Sequence, residues 1–267
     1  MNELLVNAFA SSAPWEDWEA WLDSVFQSAL RCRPGAFLDV GVNLGQTMLK
    51  LLAFDPSRPY IGFEPQPACC FMVQRFIDEN QLGNCRIVPV GLYNADRIVK
   101  LYGGSDDYSA LATVVDGFRP ASFYSSQRYV SVRKGDDVLA EINLGPVDII
   151  KVDVEGGELE VFEGLAKTMQ STMPMLVFEV LNHFIVATGS ELDKETIQFR
   201  ELRLEKMEQL IRGMGYEILN VCPGNQLRNV HKIVPLVSSD LSRTNYLAIA
   251  PSDLHAFLRV FPGQYSA

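Results

Sequence analysis

The chain has no apolar stretch approaching the roughly 20 residues that a membrane-spanning helix needs, so no membrane partner is expected. Its N-terminus carries acids and tryptophans where a signal peptide would have a basic segment and an apolar run. The five cysteines, Cys32, Cys69, Cys70, Cys85 and Cys222, have neither metal-like nor disulfide-framework spacing, and their number is odd. Free thiols in a reducing cytoplasm are the simpler reading, with Cys69-Cys70 serving as packing. Positive charge is in short supply: 23 Lys and Arg against 33 Asp and Glu give a net charge of −10. That balance argues against a nucleic-acid partner, whose phosphates would be repelled. There is no internal repeat, and no Pro/Gly/Ser-rich linker or long charge block divides the chain.

What is present suits one folded α/β unit. With 48% hydrophobic and 21% charged residues among 267, the chain can bury a full-sized core. The organising stretch is Phe37-Leu-Asp-Val-Gly-Val-Asn-Leu-Gly-Gln-Thr47. Phe37, Leu38 and Val40 make a short apolar run, glycine and polar residues break it, and Met48, Leu51, Leu52 and Phe54 then take helical spacing. A buried strand, a glycine turn and a helix start are expected, the unit that opens a doubly wound domain. Gly41 lets the backbone leave the strand sharply, and Gly45 permits a close approach. Asn43 stands where the second glycine of Gly-x-Gly-x-x-Gly belongs, so a dinucleotide pyrophosphate fits poorly. Asp39-x-Gly41-x-Asn43-x-Gly45-x-Thr47 resembles motif I of class I S-adenosylmethionine (SAM) methyltransferases.

Residues 14–30 are expected to form an amphipathic helix, with Ser12 as cap, Pro14 in the first turn and Trp15, Trp18, Leu22, Val25, Phe26 and Ala29 on one face. Residues 1–34 are therefore set apart from a domain at 35–267. Their apolar face suits the domain's flank, a second copy in a homo-oligomer, or a lid over the substrate site. Tyr60-Ile-Gly-Phe-Glu64-Pro65 reads as the second strand. Glu64 falls near the interval at which Rossmann-like folds place a ribose-binding carboxylate. Cys85–Gly91 reads as a third strand leading into Leu92, Tyr93 and Asn94, a loop beside the adenine. Residues 94–138 are less regular, and their aromatics Tyr108, Phe118, Phe123, Tyr124 and Tyr129 suit a pocket or a core cover equally.

Val147-Asp-Ile-Ile-Lys-Val-Asp153-Val-Glu155-Gly156-Gly157-Glu158 is the strongest local signal: a buried parallel strand ending in two acids and a glycine pair. Met175–Val180 is a fifth strand, with Asn182 and His183 just beyond, followed by a long charged helix from Ser190 to about Arg212. Tyr216–Cys222 and Asn245–Ala250 look like an antiparallel closing pair, and 223–244 a long loop.

Together, Asp39-Val-Gly41-x-Asn43-x-Gly45, Gly62-Phe-Glu64-Pro65 and the block from Asp148 to Gly164 resemble the FkbM family of SAM-dependent methyltransferases. The likeness runs from Phe37 to about Glu179, and Arg133-Lys134-Gly135-Asp136-Asp137 departs from it. It implies a Rossmann-like class I methyltransferase fold, a seven-stranded, mainly parallel sheet with helices on both faces and an antiparallel last strand. It further implies methyl transfer to a hydroxyl of a sugar or small natural product, giving S-adenosyl-L-homocysteine (SAH). On this reading Asp39, Gly41, Asn43, Gly45, Gln46 and Thr47 hold the methionine end, Glu64 and Pro65 the ribose, and Gly91 and Leu92 the adenine.

In-line methyl displacement asks mainly for alignment and one proton acceptor. Asp153 and Glu155 are the catalytic candidates near the cationic sulfur, with Asp153 or His183 as base. A Mg2+ version using Asp153, Glu179, Asn182 and His183 is conceivable but not favoured, and no metal ligand is assigned. The competing classes are a NAD-dependent oxidoreductase, disfavoured by the missing glycine, and a silent binding module with this fold.

Overall fold

β1 (Ala36–Val40) is buried along its whole length because it lies between two parallel neighbours and under helices on both faces. The computed structural model describes residues 18–104, 108–119, 121–181, 194–234 and 240–266. Ahead of β1 come a short 3-10 turn, Ala20–Leu22, and α1 (Asp23–Cys32). After it follow α2 (Gln46–Phe54), β2 (Tyr60–Phe63), α3 (Pro67–Glu79), β3 (Cys85–Val88), β4 (Gly91–Tyr93) and β5 (Arg97–Gly103). Next are β6 (Ser126–Lys134), α4 (Gly135–Ile142), β7 (Val147–Val152), α5 (Glu158–Gly164), α6 (Ala166–Thr172) and β8 (Met175–Glu179). The last described elements are α7 (Lys194–Gly213), β9 (Glu217–Cys222), β10 (Gln226–Asn229), β11 (Asn245–Ile249), α8 (Pro251–Val260) and β12 (Gln264–Ser266).

The main sheet runs β12-β10-β9-β11-β8-β7-β1-β2-β3, and β3, β2, β1, β7 and β8 are mutually parallel. The expected α/β class is therefore observed, with nine described strands in place of seven. β11 is the antiparallel strand, pairing with both β8 and β9, and β10 and β12 extend the edge beyond β9. The last described strand, β12, is parallel to β10, which is antiparallel to β9, so it too runs against the five parallel strands, as expected of the last strand. The loop foreseen at 223–244 contains β10, and nothing in its alternation had marked a strand.

Each face of the sheet has its own core. Phe37, Tyr60 and Ile149 point to one side, where Val25, Phe26 and Ala29 of α1, Met48 of α2, Val73 of α3 and Phe257 of α8 cover them. Leu38, Val40, Ile150 and Phe178 point to the other, beneath Phe162 of α5, Met169 of α6 and Ile211 of α7. Alternate residues of a central strand thus serve opposite layers, which is why β1, β2 and β7 are buried along their whole length.

Two local expectations need correction. The third strand stops at Val88, and Gly91–Tyr93 are no loop: β4 pairs with β6 in a separate three-stranded sheet, β4-β6-β5. The first helix does not run through from Pro14; among the described residues it begins at Asp23. Glu19 has a left-handed backbone, φ 46 and ψ 38, which an α-helix cannot contain, and Ser12 to Asp17 lie outside the described residues. No helix among the described residues is long and apolar enough to cross a membrane.

Candidate active site

β1 has β2 on one side and β7 on the other, so the strand order reverses there, and the crevice above the carboxyl ends is where open α/β sheets bind ligands. Three loops meet in it. The turn after β1 is fixed by Gly41, whose φ is +89; a Cβ there would stand 1.9 Å from the Asp153 carbonyl oxygen. The Gly41 N–H donates to Phe63 O at 2.9 Å, and Asp153 N–H to Val40 O at 3.0 Å, stitching the three strand ends together. Asn43, in place of a second glycine, also has positive φ, 49, a region asparagine tolerates better than most residues.

Glu64 follows β2 and is buried, yet it lines the crevice. Its Oε2 accepts from the Asn43 N–H at 2.8 Å and its Oε1 from the Gln66 N–H at 2.9 Å. Burial pushes its pKa up, and these two N–H groups hold it partly down. A carboxylate has about four lone-pair directions, so two remain for a ligand.

The acids after β7 are matched by cations, one from β7 itself and the others from elsewhere in the chain. Lys151, pointing up from β7 and buried, donates to Asp153 Oδ2 at 3.0 Å and lies 3.6 Å from Glu19 Oε2. Burial pulls the ammonium pKa down, but Asp153, Glu19 and Asp39 outweigh it and hold it above the ordinary lysine value. Glu155, itself left-handed at φ 57, pairs with the buried Arg119. Glu160 pairs with Arg203 of α7 at 2.5 Å. Glu179, at the end of β8, has Thr244 Oγ1 2.6 Å from its Oε1; burial, then Asp153, pushes it well above the usual carboxylate range.

Two adjoining cavities share Gly41, Asn43, Ala110, Asp153 and Glu155. One is walled by Glu64, Pro65, Gly91 and Leu92 with apolar Phe63, Leu101 and Val132. The other is walled by Gln46, Thr47, Lys151, Glu179, Trp18, Glu19 and Trp21. The crevice therefore gathers Gly41, Asn43, Gln46, Thr47, Glu64, Pro65, Gly91, Leu92, Asp153 and Glu155. Asp39 is left out: fully buried on β1, it accepts from Tyr60 OH at 2.7 Å beneath the crevice floor. Gly45 serves as the left-handed cap of α2, φ 89. Asn182 and His183 lie outside the described residues.

The aromatics of 94–138 do not form the crevice wall; Tyr108, Phe123 and Tyr129 are exposed, and small residues Ser109, Ala110 and Ala112 line it instead. Small side chains let the β5–β6 loop approach the crevice, and no periodicity in the sequence announces that.

Burial gives this region a distinct proton balance. Glu155 and Glu158 are pushed up to about 7 and Asp39 to about 6, burial being the main cause for each. The folded chain thus holds these protons more tightly than the unfolded one. Their contribution to stability is complete below the unfolded carboxylate range, about pH 4, and is lost as the pH rises through about 6 and 7. The melting temperature is expected to fall between about pH 5 and about pH 8; a rise over that interval in calorimetric scans would contradict the assignment.

A family model described as "Methyltransferase FkbM domain" matches residues 39–218, more than half of the chain. The chain belongs to the FkbM methyltransferase family. Among curated relatives, Methyltransferase 1 of Beauveria bassiana (strain ARSEF 2860) is 28% identical over 161 residues, 55% of this chain and 65% of that protein. The 2-O-methyltransferase NoeI of Sinorhizobium fredii (strain NBRC 101917 / NGR234) is 24% identical over 145 residues, 51% of this chain and 59% of that one. The chain thus spans less than two thirds of the length of either. In fold it is similar to an O-methyltransferase from Bacillus cereus solved in complex with SAH, with TM-score 0.50 and 12% identity over 92% of this chain and 88% of that one. The FkbM match begins at Asp39, so Trp18, Glu19 and Trp21 reach the crevice from outside the matched span.

Proposed function

We propose that this chain is a SAM-dependent methyltransferase acting on a hydroxyl of a sugar or small natural product. The observation that carries the proposal is the placing of Glu64 and Asp153 over one crevice at the point of strand reversal, on a chain of the FkbM family. The residues fit the cofactor: an apolar slot beside a carboxylate with lone pairs to spare suits a nucleoside, and the acids after β7 suit a cation. When bound, SAM supplies a methyl group on a cationic sulfur. Glu64 would hold the ribose hydroxyls, and Phe63, Leu92 and Leu101 would enclose the base. The Gly41–Thr47 turn meets the methionine end through backbone groups.

Asp153 would orient the acceptor hydroxyl and take its proton, the methyl group being what bound SAM would supply to that oxygen. Glu155, steadied by Arg119, keeps the surroundings of the sulfur negative. His183 remains the other candidate base. NoeI, a 2-O-methyltransferase by name, supports oxygen as the acceptor atom. Asp153, Glu155 and Glu179 bring carboxylate oxygens within 4.8 Å of one another, a donor set a hard cation accepts. Lys151 and Arg119 already neutralise two of the three, so magnesium is not favoured.

The test is binding by Glu64 variants. Hydrogen bonds to a charged group are worth about 1.5–3 kcal/mol. Glu64→Ala is therefore expected to weaken SAM binding by roughly 10- to 100-fold, at about 1.4 kcal/mol per decade. Glu64→Gln, keeping one acceptor oxygen, should lose less. Because the carboxylate also ties Asn43 to Gln66, the Ala variant should melt some degrees lower as well. Calorimetric SAM affinity unchanged in Glu64→Ala would remove the cofactor from this crevice. A thermal shift with SAM but none with NAD is the accompanying expectation for the unaltered protein.

A further inference from the structure

We propose that Glu19 is a positioning residue of the transfer site, acting through Lys151 on Asp153, and that Trp18, Glu19 and Trp21 form its acceptor-side wall. The proposal rests on reading the crevice as the SAM site. The segment belongs to no part of the family match, and its sequence periodicity reads only as a helix.

Three observations converge. Glu19 Oε2 lies 3.6 Å from Lys151 Nζ, whose own hydrogen bond goes to Asp153 Oδ2 at 3.0 Å. Lys151 is only 4% exposed, so a buried ammonium stands between two partly exposed carboxylates at the mouth of the cofactor crevice. Four residues on, Asp23 Oδ1 meets a second buried ammonium, Lys50 Nζ, at 2.5 Å. Lys50 stands on α2, the helix that the Gly41–Gly45 turn opens, so the segment is pinned on both flanks of the motif. Finally, Glu19 is a non-glycine residue held left-handed, a conformation that persists only where its surroundings enforce it. Here the Leu22 N–H donates to the Glu19 carbonyl at 2.8 Å, and the Leu22 side chain is fully buried. That bend, between Trp18 and Trp21, sends the carboxylate into the cavity they line.

The charge count explains why a second carboxylate is useful. Lys151 with Asp153 alone sums to zero, leaving Asp153 spent on a lysine and no net attraction for a sulfonium. Adding Glu19 leaves one negative charge on the row and holds the ammonium between two acids. SAM carries a cationic sulfur and SAH a neutral one, so their affinities compare the potential at that place.

Both ligands are titrated calorimetrically into the wild-type chain and Glu19→Gln in the same buffer. Glu19→Gln is expected to weaken SAM roughly tenfold and SAH by less than about twofold, a loss confined to the charged ligand. Asp23→Asn, which removes the other pin, is expected to lower the melting temperature and leave the SAM-to-SAH ratio unchanged. The chain's three tryptophans, Trp15, Trp18 and Trp21, all fall in this stretch, so intrinsic emission reports on it alone. Emission should change when either ligand binds. An unchanged ratio in Glu19→Gln, or equal weakening of both ligands with a lower melting temperature, overturns the positioning role. Ligand binding with silent tryptophan emission overturns the wall. Failure of the wild-type chain to bind either ligand brings down the SAM reading itself, and this inference with it.

Discussion

Asp153→Asn is expected to lower kcat by roughly 100-fold or more, the range for a positioned acid–base group, to weaken SAM about as much as Glu19→Gln because it removes the same charge from the row, and to leave the melting temperature little changed. Asparagine keeps the shape and one carbonyl oxygen, so Lys151 retains an acceptor where Asp153 Oδ2 now stands at 3.0 Å. What it removes is the capacity to take a proton. Asp153→Ala is the poorer test, because it strands a buried ammonium with Glu19 alone at 3.6 Å, and removing one partner from a buried pair is strongly destabilising. The acceptor is found first by incubating labelled SAM with metabolite extracts and following the mass shift. Rates on that acceptor then settle the role. A well-folded Asp153→Asn enzyme turning over at wild-type rate would leave Asp153 with alignment only and move the proton to His183 or to water.

Gly41→Ala is expected to be the most disruptive change to the fold and to cofactor binding together. The new methyl would meet the Asp153 carbonyl oxygen at 1.9 Å, a backbone atom that cannot rotate away, and φ +89 is already unfavourable for alanine. Relief requires prising β1 from β7 at the strand reversal. The loss should reach roughly 3 kcal/mol, well into the severe end of single substitutions, and drop the melting temperature by on the order of 10 °C. SAM binding should fall below detection, since the displaced turn is the cofactor's own floor. Gly224→Ala gives the comparison: its φ is +75 but nothing lies within 4 Å of the added carbon, so only backbone strain operates. Equal melting shifts in the two variants would show that the contact with Asp153 contributes nothing.

The parts of this site that could be read from the sequence are those whose signal is local. An apolar run stopping at glycine, as at Phe37–Gly41, or at paired acids, as at Val147–Glu155, states both strand and strand end within a dozen residues. Glu64 was found the same way, though its second task, joining Asn43 to Gln66, depends on two loops meeting. Glu19 was hidden for the opposite reason. Trp15, Trp18 and Leu22 repeat at helical spacing, which masks a left-handed break, and its partner Lys151 lies far along the chain. The aromatics of the β5–β6 loop left two readings open, and the crevice takes from that loop Ser109, Ala110, Leu111, Ala112 and Val114 instead. β10 and β12 are short and partly exposed, so neither shows the alternation that would mark a strand.

The position of β11 bears on how the chain is made. It is inserted between β8 and β9, so two strands that precede it have no partner on that side until residues 245–249 arrive. On a ribosome, the half of the sheet from β3 to β8 can assemble while the remainder is still being synthesised. β9 and β10 must wait as a two-stranded ribbon, too small to be stable in water. During that interval the apolar flank of β8 is an open edge, the kind that invites pairing with another nascent chain. Premature termination ahead of β11 would therefore yield a chain with most of its cofactor residues and an aggregation-prone seam.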